Sequence, residues 1–298
     1  MSSSTVALEV RPLGGVIGAE VLGVDLASLT DERWQALLEL WHEHLVLFFP
    51  DQHLSPDDHV AVGRRLGEPE IHPFIRKLDD AHPEIVVIGG KRGVADVWHS
   101  DVTFSPTPPM ASVLRMATCP RRGGDTMWSN QYAAYESLSA PMQAMLDGLT
   151  AVHTATPFGR PDTTARHPAV RVHPVTGRKA LYVNRSFTSH FPELRRGESD
   201  ALLAQLLAWC EQPNFQCRYR WAEGAVAIWD NRCTQHFALG DYDEMRVIER
   251  VTVLGAAPVG PPHAGWPEFT GWETYDARRP ERTVKTDPRT NSIAADGS

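Results

Sequence analysis

Short runs of apolar residues, each bounded by glycine, proline or polar residues, dominate the pattern of this chain. Runs of this length are typical of β-strands. Residues 8–26 predict short strands separated by turn glycines. The other predicted strands are residues 45–49, 84–88, 111–118, 125–128, 170–173, 181–184, 217–221, 225–229 and 246–254.

Helical spacing of apolar residues is confined to a few stretches. Thr30 is a suitable N-cap for a helix over residues 31–44. A second helix is predicted to begin at Pro56, and two more lie near residues 141–148 and 200–210. Many short strands with a few helices around them are typical of two packed sheets. We therefore expect a mainly β protein with flanking helices and a double-stranded β-helix (jelly-roll, cupin-like) core.

The composition fits one globular domain. The chain has 298 residues, 42% apolar and 22% charged, so it can bury a sizeable core. No internal repeat is evident, and we expect a single domain over residues 1–275. Beyond that point the sequence becomes polar and ends without large apolar groups. Residues 276–298 are therefore predicted to be a disordered tail.

Charge and cysteine usage limit the possible partners. The formal charge is −8 and no basic tract occurs, which argues against nucleic acid and membrane surfaces. No apolar run is long enough for a transmembrane helix, and the first residues lack a signal-peptide pattern. Without C-x-x-C spacing, free thiols in a cytoplasmic protein are expected for Cys119, Cys210, Cys217 and Cys233. Cys233 is expected to pack locally rather than to bind metal.

Two segments far apart in the sequence supply a candidate metal site. WHSDVTF, at residues 98–104, contains His99 and Asp101, whose side chains would leave the same face of an extended strand. WDNRCTQH, at residues 229–236, ends at His236. Two imidazoles and one carboxylate bind one face of a non-haem Fe(II) and leave the other face open. An H-x-D pair alone is weak evidence, because a hydrogen-bonded His–Asp pair at a strand end is common.

These segments, in this order, resemble the taurine dioxygenase (TauD/TfdA) family of Fe(II)- and 2-oxoglutarate-dependent oxygenases. The resemblance covers nearly the whole chain and includes GGDT at residues 123–126, Arg246 and Arg250. It implies a dioxygenase that uses Fe(II), 2-oxoglutarate and O2, hydroxylates a C–H bond and releases succinate and CO2. It also implies that Arg246 grips the far carboxylate of 2-oxoglutarate, to which Thr126 adds a hydrogen bond.

The resemblance implies a small anionic organic substrate. In taurine-type members, residues matching His72 and Arg250 hold the sulfonate. The pattern breaks nearby, where Ile75 replaces a tyrosine and Ala95 replaces an asparagine. These changes remove polar contacts for a small aminosulfonate. They favour a more apolar body, as in an alkyl sulfate, a sulfonate or a carboxylate, and a role in sulfur metabolism.

Three phenylalanines, Phe104, Phe158 and Phe187, are candidates to line the apolar part of this pocket, although each could equally be ordinary core. The stretch between Phe158 and His167 is shorter than in taurine oxidisers. Because the family commonly forms homo-oligomers, a dimer or tetramer is expected.

Other interpretations compete with the oxygenase. Arg246 and Arg250 share one face of a predicted strand, and a surface strand with two solvated arginines would explain them without any anion. A Zn-dependent hydrolase could use two histidines and an aspartate. A cupin-like protein could bind metal and oxoacid without turnover. A halogenase would need a small residue at the position of Asp101.

The remaining polar residues near these motifs are assigned supporting roles. Asp230 and Asn231 are expected to hold the loop of His236 by hydrogen bonds, and Trp98 and Trp229 to wall the site. Surface positions are predicted for His42, His44, His53 and His59, and core positions for His153 and His173.

Overall fold

The computed structural model describes residues 8–72, 75–91 and 95–271. Its strands are β1 (Glu9–Pro12), β2 (Ala19–Leu22), β3 (Val46–Phe49), β4 (Ile85–Gly90), β5 (Ala111–Thr118), β6 (Thr126–Asn130), β7 (Thr150–Ala155), β8 (Arg160–Pro168), β9 (Val170–Val172), β10 (Lys179–Leu181), β11 (Thr188–His190), β12 (Gln216–Tyr219), β13 (Val226–Asp230), β14 (Thr234–Ala238) and β15 (Arg246–Val253). Its α-helices are α1 (Asp31–His44), α2 (Pro56–Leu66), α3 (Gln131–Glu136), α4 (Ala140–Leu146) and α5 (Arg196–Cys210).

A seven-stranded sheet in the order β1-β2-β3-β13-β5-β15-β4 forms one wall of the fold. Its pairings are antiparallel except for β2 with β3. A second sheet, β12-β6-β14, lies opposite it. The inner faces of the two sheets share one apolar core, in which the Phe48 ring stacks on that of Tyr219 at 4.0 Å. The predicted double-stranded β-helix is confirmed.

The large sheet is buried on both faces because two helices cover its outer side. The alternation along β13 shows how its side chains divide. Val226 and Ile228 pack with residues of α1 and α2, whereas Ala227 and Trp229 point into the core between the sheets. Both helices begin where they were predicted to begin: Thr30 accepts the Arg33 N–H before α1, and Ser55 forms a capping box before α2.

A third region lies beside the two packed sheets and contains most of the elements that the sequence did not predict. It contains the sheet β11-β7-β8, the pair β10-β9 and the helices α3 to α5, with its own core around Phe191 and Leu206. Strands β7, β8, β11 and β14 and helix α3 were not predicted. Most of β8 is exposed and lacks an apolar alternation, while the first three residues of β14 are polar yet buried. Neither pattern predicts a strand.

Some smaller expectations also changed. His59 is not a surface group: it is 1% exposed, and its Nε2 lies 2.9 Å from the carbonyl oxygen of Val113. The strand predicted at 181–184 is displaced to Lys179–Leu181. The four cysteines are free thiols, as predicted.

The predicted tail, residues 276–298, and the predicted domain boundary at 275 lie outside the described residues, so the single domain stays a prediction. Within the described part of the chain, no helix has the length and apolar character needed to span a membrane.

Candidate metal centre and its neighbouring pocket

Two backbone hydrogen bonds bring the candidate metal ligands together. The N–H of His99 donates to the carbonyl of His236 at 3.1 Å, and the reverse bond is 2.8 Å. The expectation that His99 and Asp101 share a regular strand is wrong, because His99 forms an isolated bridge and Asp101 begins a turn. The side chains still converge. Asp101 Oδ1 lies 3.8 Å from His99 Nε2 and 3.9 Å from His236 Nε2.

This arrangement fits a metal ion. Two donor atoms that each lie about 2.1 Å from one ion can be at most about 4.2 Å apart, and both measured pairs meet that limit. His99 Nδ1 is 2.7 Å from the carbonyl oxygen of Val97. A proton held there leaves the lone pair of Nε2 directed at Asp101 and His236.

The protonation states also suit a metal. Burial lowers the pKa of His99 and lowers that of His236 to about 3, so both rings are neutral. Burial alone would raise the pKa of Asp101, but the charge of the neighbouring Arg250 guanidinium outweighs it and holds the pKa below its ordinary value. Neutral imidazoles and an ionised carboxylate are the forms that bind divalent ions.

Neighbouring polar groups hold Asp101 in place. Arg250 Nη1 donates to both carboxylate oxygens at 3.1 and 3.2 Å, and Ser112 Oγ donates at 3.3 Å. Asn231 accepts the N–H of Asp101 at 2.7 Å and donates to its carbonyl at 3.1 Å. Asn231 thus supports Asp101 directly, whereas the sequence assigned it to the loop of His236. The Trp229 ring lies 4.9 Å from that of His236.

The two residues assigned to the cosubstrate lie together in the adjoining pocket. Arg246 Nη2 is 3.4 Å from Thr126 Oγ1, which also accepts the Trp221 indole N–H at 2.9 Å. Arg246 Nε donates to the carbonyl of Gly124 at 3.0 Å. Gly124 has a φ of 71°, and a Cβ at this position would lie 3.0 Å from Arg246 Cδ. A glycine is therefore required for the arginine to reach this position.

Both arginines on β15 lie on one face, as the strand alternation predicted, and that face points inward. Arg246 is 6% exposed and Arg250 is 9% exposed. The alternative of a surface strand with solvated arginines is wrong. Both side chains line one narrow pocket that also contains His99, Thr126 and His236. Buried guanidinium groups that face an enclosed space are suited to binding anions.

The predicted substrate residues lie near the same candidate metal ligands. His72 is half-buried, and burial followed by the nearby charge of Arg250 lowers its pKa. The three phenylalanines contact one another, with ring centroids 5.2 to 6.0 Å apart. The Phe187 ring also meets that of His99 edge-on at 6.2 Å. Phe158 is 63% exposed, so this aromatic wall extends from His99 to solvent.

Sequence reasoning missed other pocket residues. Trp128 lines the pocket with a buried indole N–H that has no partner among the described residues. Tyr242 also lines it, with its ring 5.9 Å from the Arg246 guanidinium. Half-buried Glu70 has a pKa that burial raises and nearby Arg250 partly restores. Tyr242 and Glu70 lie in polar stretches of the sequence. Their nearness to Arg246 and Arg250 is visible only in the folded structure, so no sequence pattern was a reason to select them.

A second cluster of similar composition lies nearby. His173, Asp230 and Cys233 are all buried, and their potential ligand atoms lie within 4.8 Å of one another. His173 Nε2 is 3.0 Å from Asp230 Oδ2, and Arg232 donates to the two oxygens of Asp230 at 2.8 and 2.6 Å. His173 is thus the satisfied core histidine that was predicted.

Comparisons with known proteins agree with this geometry. The family model described as taurine catabolism dioxygenase TauD, TfdA family matches residues 9–252. The chain is 37% identical over 279 residues to the alpha-ketoglutarate-dependent sulfate ester dioxygenase of Pseudomonas putida, covering 85% of this chain and 91% of that protein. It is 34% identical over 283 residues to an alkylsulfatase of Acinetobacter baylyi, covering 87% and 89%.

Solved structures have the same fold. A taurine dioxygenase from Burkholderia xenovorans superposes with a TM-score of 0.79 at 41% identity, covering 85% of this chain and 91% of that one. The structure of AAD-2 in complex with Mn(II) and N-oxalylglycine gives a TM-score of 0.72 at 25% identity, covering 85% and 99%.

Proposed function

The chain belongs to the TauD, TfdA family of 2-oxoglutarate-dependent dioxygenases, and we propose that it oxidises alkyl sulfate esters at an Fe(II) ion held by His99, Asp101 and His236. The proposal is carried by the buried Arg250, which donates to the carboxylate of Asp101, together with an aromatic wall that meets the neighbouring His99 at Phe187. A charged head next to the metal and an apolar body along the wall describe an amphipathic anion.

The ligand set supports iron. Two neutral histidines and one ionised carboxylate on one side of an ion leave open positions on the other side, as non-haem Fe(II) oxygenases require. When bound, the ion would activate O2 at the expense of 2-oxoglutarate. A relative of known structure, AAD-2, holds Mn(II) together with an oxoacid-like ligand, N-oxalylglycine.

The protein's own residues bind and orient the two organic substrates. We assign Arg246 and Thr126 to the far carboxylate of 2-oxoglutarate, because the pair lies buried in the pocket that reaches His99 and His236. Since water is largely excluded there, a bidentate guanidinium contact would fix the direction of the cosubstrate.

Arg250 and His72 are assigned to the sulfate group, and Phe104, Phe158 and Phe187 to the alkyl chain. This would place the carbon next to the ester oxygen nearest the metal. Its hydroxylation gives an unstable product that separates into an aldehyde and sulfate, while 2-oxoglutarate and O2 yield succinate and CO2. Ile75 and Ala95 offer no polar side chain for a substrate amine, which favours a sulfate ester over taurine.

The products distinguish this reaction from its rivals. The protein with Fe(II), 2-oxoglutarate, O2 and a medium-chain alkyl sulfate should form aldehyde, sulfate and succinate in equal amounts. A Zn-dependent hydrolase would form the alcohol without O2, and a binding protein would form no succinate. Under anaerobic conditions, Fe(II) and 2-oxoglutarate should produce a weak visible charge-transfer band that His99→Ala abolishes. Alcohol formation without O2, or Fe(II) binding without the band, would refute the proposal.

We also infer a cytoplasmic homo-oligomer, either a dimer or a tetramer, as is common in this family. Light scattering after size-exclusion chromatography tests the assembly, with 33.1 kDa expected for a single chain.

A further inference from the structure

The turn that carries Asp101 contains a strained residue. Val102 has a φ of 53°, in the left-handed region. A β-branched side chain rarely adopts this conformation, because its Cβ crowds the backbone. The strained residue lies directly between the metal ligand Asp101 and the segment leading to Phe104. Such a turn keeps its shape only if its surroundings hold it on both sides.

The side before Val102 is held by Asn231. Its amide oxygen accepts the N–H of Asp101 at 2.7 Å, and its amide nitrogen donates to the Asp101 carbonyl at 3.1 Å. Asn231 also donates to the carbonyl of Pro109 at 3.0 Å and is 0% exposed. This side of the turn is fixed to the turn between β13 and β14, which leads to His236.

The side after Val102 is held by Thr103, which is 0% exposed. Thr103 Oγ1 accepts from Asn184 Nδ2 at 3.0 Å and lies 2.9 Å from His153 Nδ1. The Thr103 carbonyl oxygen lies 2.8 Å from His167 Nε2. Three buried side chains from other parts of the chain therefore converge on one residue of the turn.

These partners also support the aromatic wall. Asn184 Oδ1 accepts the N–H of Phe187 at 2.9 Å, and the carbonyl of Phe187 accepts the N–H of Thr154 at 2.8 Å. His153 is the residue before Thr154 on β7. Through Thr103, the turn with the metal ligand and the wall next to it are parts of one hydrogen-bonded unit.

We propose that Thr103 is a positioning residue, which holds Val102 in its left-handed conformation and so directs Asp101 toward the metal and Phe104 toward the substrate. The proposal rests on the proposed metal site. It assigns to the buried His153, His167 and Asn184 a role in metal affinity, although none of them is a ligand.

Mn(II) binding to the metal-free protein tests the role without any turnover. Thr103→Val keeps the shape of the side chain and removes the hydroxyl, leaving buried partners unsatisfied. We expect Mn(II) affinity to fall about tenfold, whereas Thr103→Ser, which restores the hydroxyl, should bind within about threefold of wild type. The KM for the alkyl sulfate should rise in Thr103→Val while the KM for 2-oxoglutarate stays unchanged. Unchanged Mn(II) affinity in Thr103→Val would overturn the proposal.

Val102→Gly provides an independent check, since glycine adopts a positive φ without strain. In the Val102→Gly background, Thr103→Val should weaken Mn(II) binding by less than about threefold, because the turn no longer has to be held against strain. An equal loss in both backgrounds would show that Thr103 does not act through Val102. If Thr103→Val does not fold, Asn184→Ala removes one of its partners instead. Wild-type Mn(II) affinity in that variant would equally refute the proposal.

The wild-type titration separates this proposal from the proposed function. If the wild type binds no Mn(II), the metal site itself is wrong. If it binds Mn(II) and the Thr103 variants bind equally well, only the positioning role fails.

Discussion

Two clusters of this protein contain similar side chains and differ in whether their histidine Nε2 atoms are already engaged. The open cluster is His99, Asp101 and His236, and the closed cluster is His173, Asp230 and Cys233. In the open cluster the two histidine Nε2 atoms face Asp101 at 3.8 and 3.9 Å, beyond hydrogen-bonding distance. The intervening space is about the size of a metal ion.

In the closed cluster both ring nitrogens of His173 and both carboxylate oxygens of Asp230 have hydrogen-bond partners. Arg232 grips both oxygens of Asp230, and its backbone N–H donates to the same carboxylate at 2.9 Å. His173 Nδ1 accepts the backbone N–H groups of Val175 and Thr176, while its Nε2 faces Asp230. Burial raises the pKa of the Cys233 thiol well above its usual range. Composition and proximity therefore do not distinguish the two clusters as candidate metal sites; histidine nitrogens that remain unengaged beside a pocket do.

Removing a ligand of the open cluster should have the largest effect. His99→Ala leaves two protein ligands, so we expect loss of stoichiometric Fe(II) and a fall in turnover of about 10³-fold or more. Metal content by elemental analysis and succinate release measure the two effects. Near-normal turnover in this variant would place the metal elsewhere.

The next largest effect should come from a substitution in the pocket beside the open cluster. Arg246→Ala should raise the KM for 2-oxoglutarate by roughly 10²-fold, because losing one partner of a buried charged pair costs about 2–5 kcal/mol. Arg218→Ala is the matched control. Arg218 is half-exposed and binds Asp125 at 2.7 Å, so its loss should leave that KM within about twofold. Equal KM values in wild type and Arg246→Ala would move the cosubstrate anchor to another residue.

A change in the closed cluster should affect stability and spare the metal. Asp230→Asn leaves the Arg232 guanidinium buried without a counter-charge, which costs about 3–5 kcal/mol. For a chain of this size the Tm should fall by roughly 10 °C. Mn(II) affinity measured at 15 °C should match that of the wild type. Weaker Mn(II) binding by folded Asp230→Asn would mean that the two clusters are coupled.

This contrast also marks how far the sequence could predict the site. His99, Asp101 and His236 were identified because ligand chemistry and spacing are properties of residue type. The shared face of Arg246 and Arg250 followed from strand alternation, whereas their inward direction followed from the family resemblance. The engagement of Asp230 by Arg232 could not be foreseen, because it depends on side-chain directions at the turn between β13 and β14. The left-handed conformation of Val102 could not be foreseen either, because it depends on the contacts that hold its turn.

The secondary structure was predictable where buried apolar residues recur at the spacing of a strand or a helix. Strand β5 was predicted at its observed bounds, and α1 began at its predicted cap. Strand β8 was missed because its exposed polar residues are stabilised by pairing with β7 rather than by an apolar face. Strand β14 was missed because its first three residues are polar yet buried, where a core strand usually carries apolar ones.

Acid should destabilise the metal-free protein partly through the open cluster. The pKa of His236 is about 3 in the folded protein and 6.5 ordinarily. Below pH 6.5 the unfolded chain therefore binds a proton that the folded chain excludes, and stability falls as the pH drops toward 3. The contribution of one such group is up to about 1.4 kcal/mol per pH unit. Urea unfolding at pH 7, 6 and 5 should show a shallower pH dependence in His236→Gln. Parallel curves would contradict the lowered pKa.

The smallest effect is expected from the thiol of the closed cluster, and it tests the comparison most directly. Cys233 Sγ lies 3.9 Å from the Asp230 carbonyl oxygen. Cys233→Ala removes one buried atom, which should cost about 1 kcal/mol and lower the Tm by roughly 3 °C. Cys217→Ala, at another buried position, should behave similarly.

Zn(II) is the appropriate probe because it favours thiolate and imidazole ligands. If Asp230 is fully engaged by Arg232, wild type and Cys233→Ala should bind the same single equivalent of Zn(II). A second equivalent that disappears in Cys233→Ala would show that the closed cluster opens, and that engagement of its donors is not what separates the two sites.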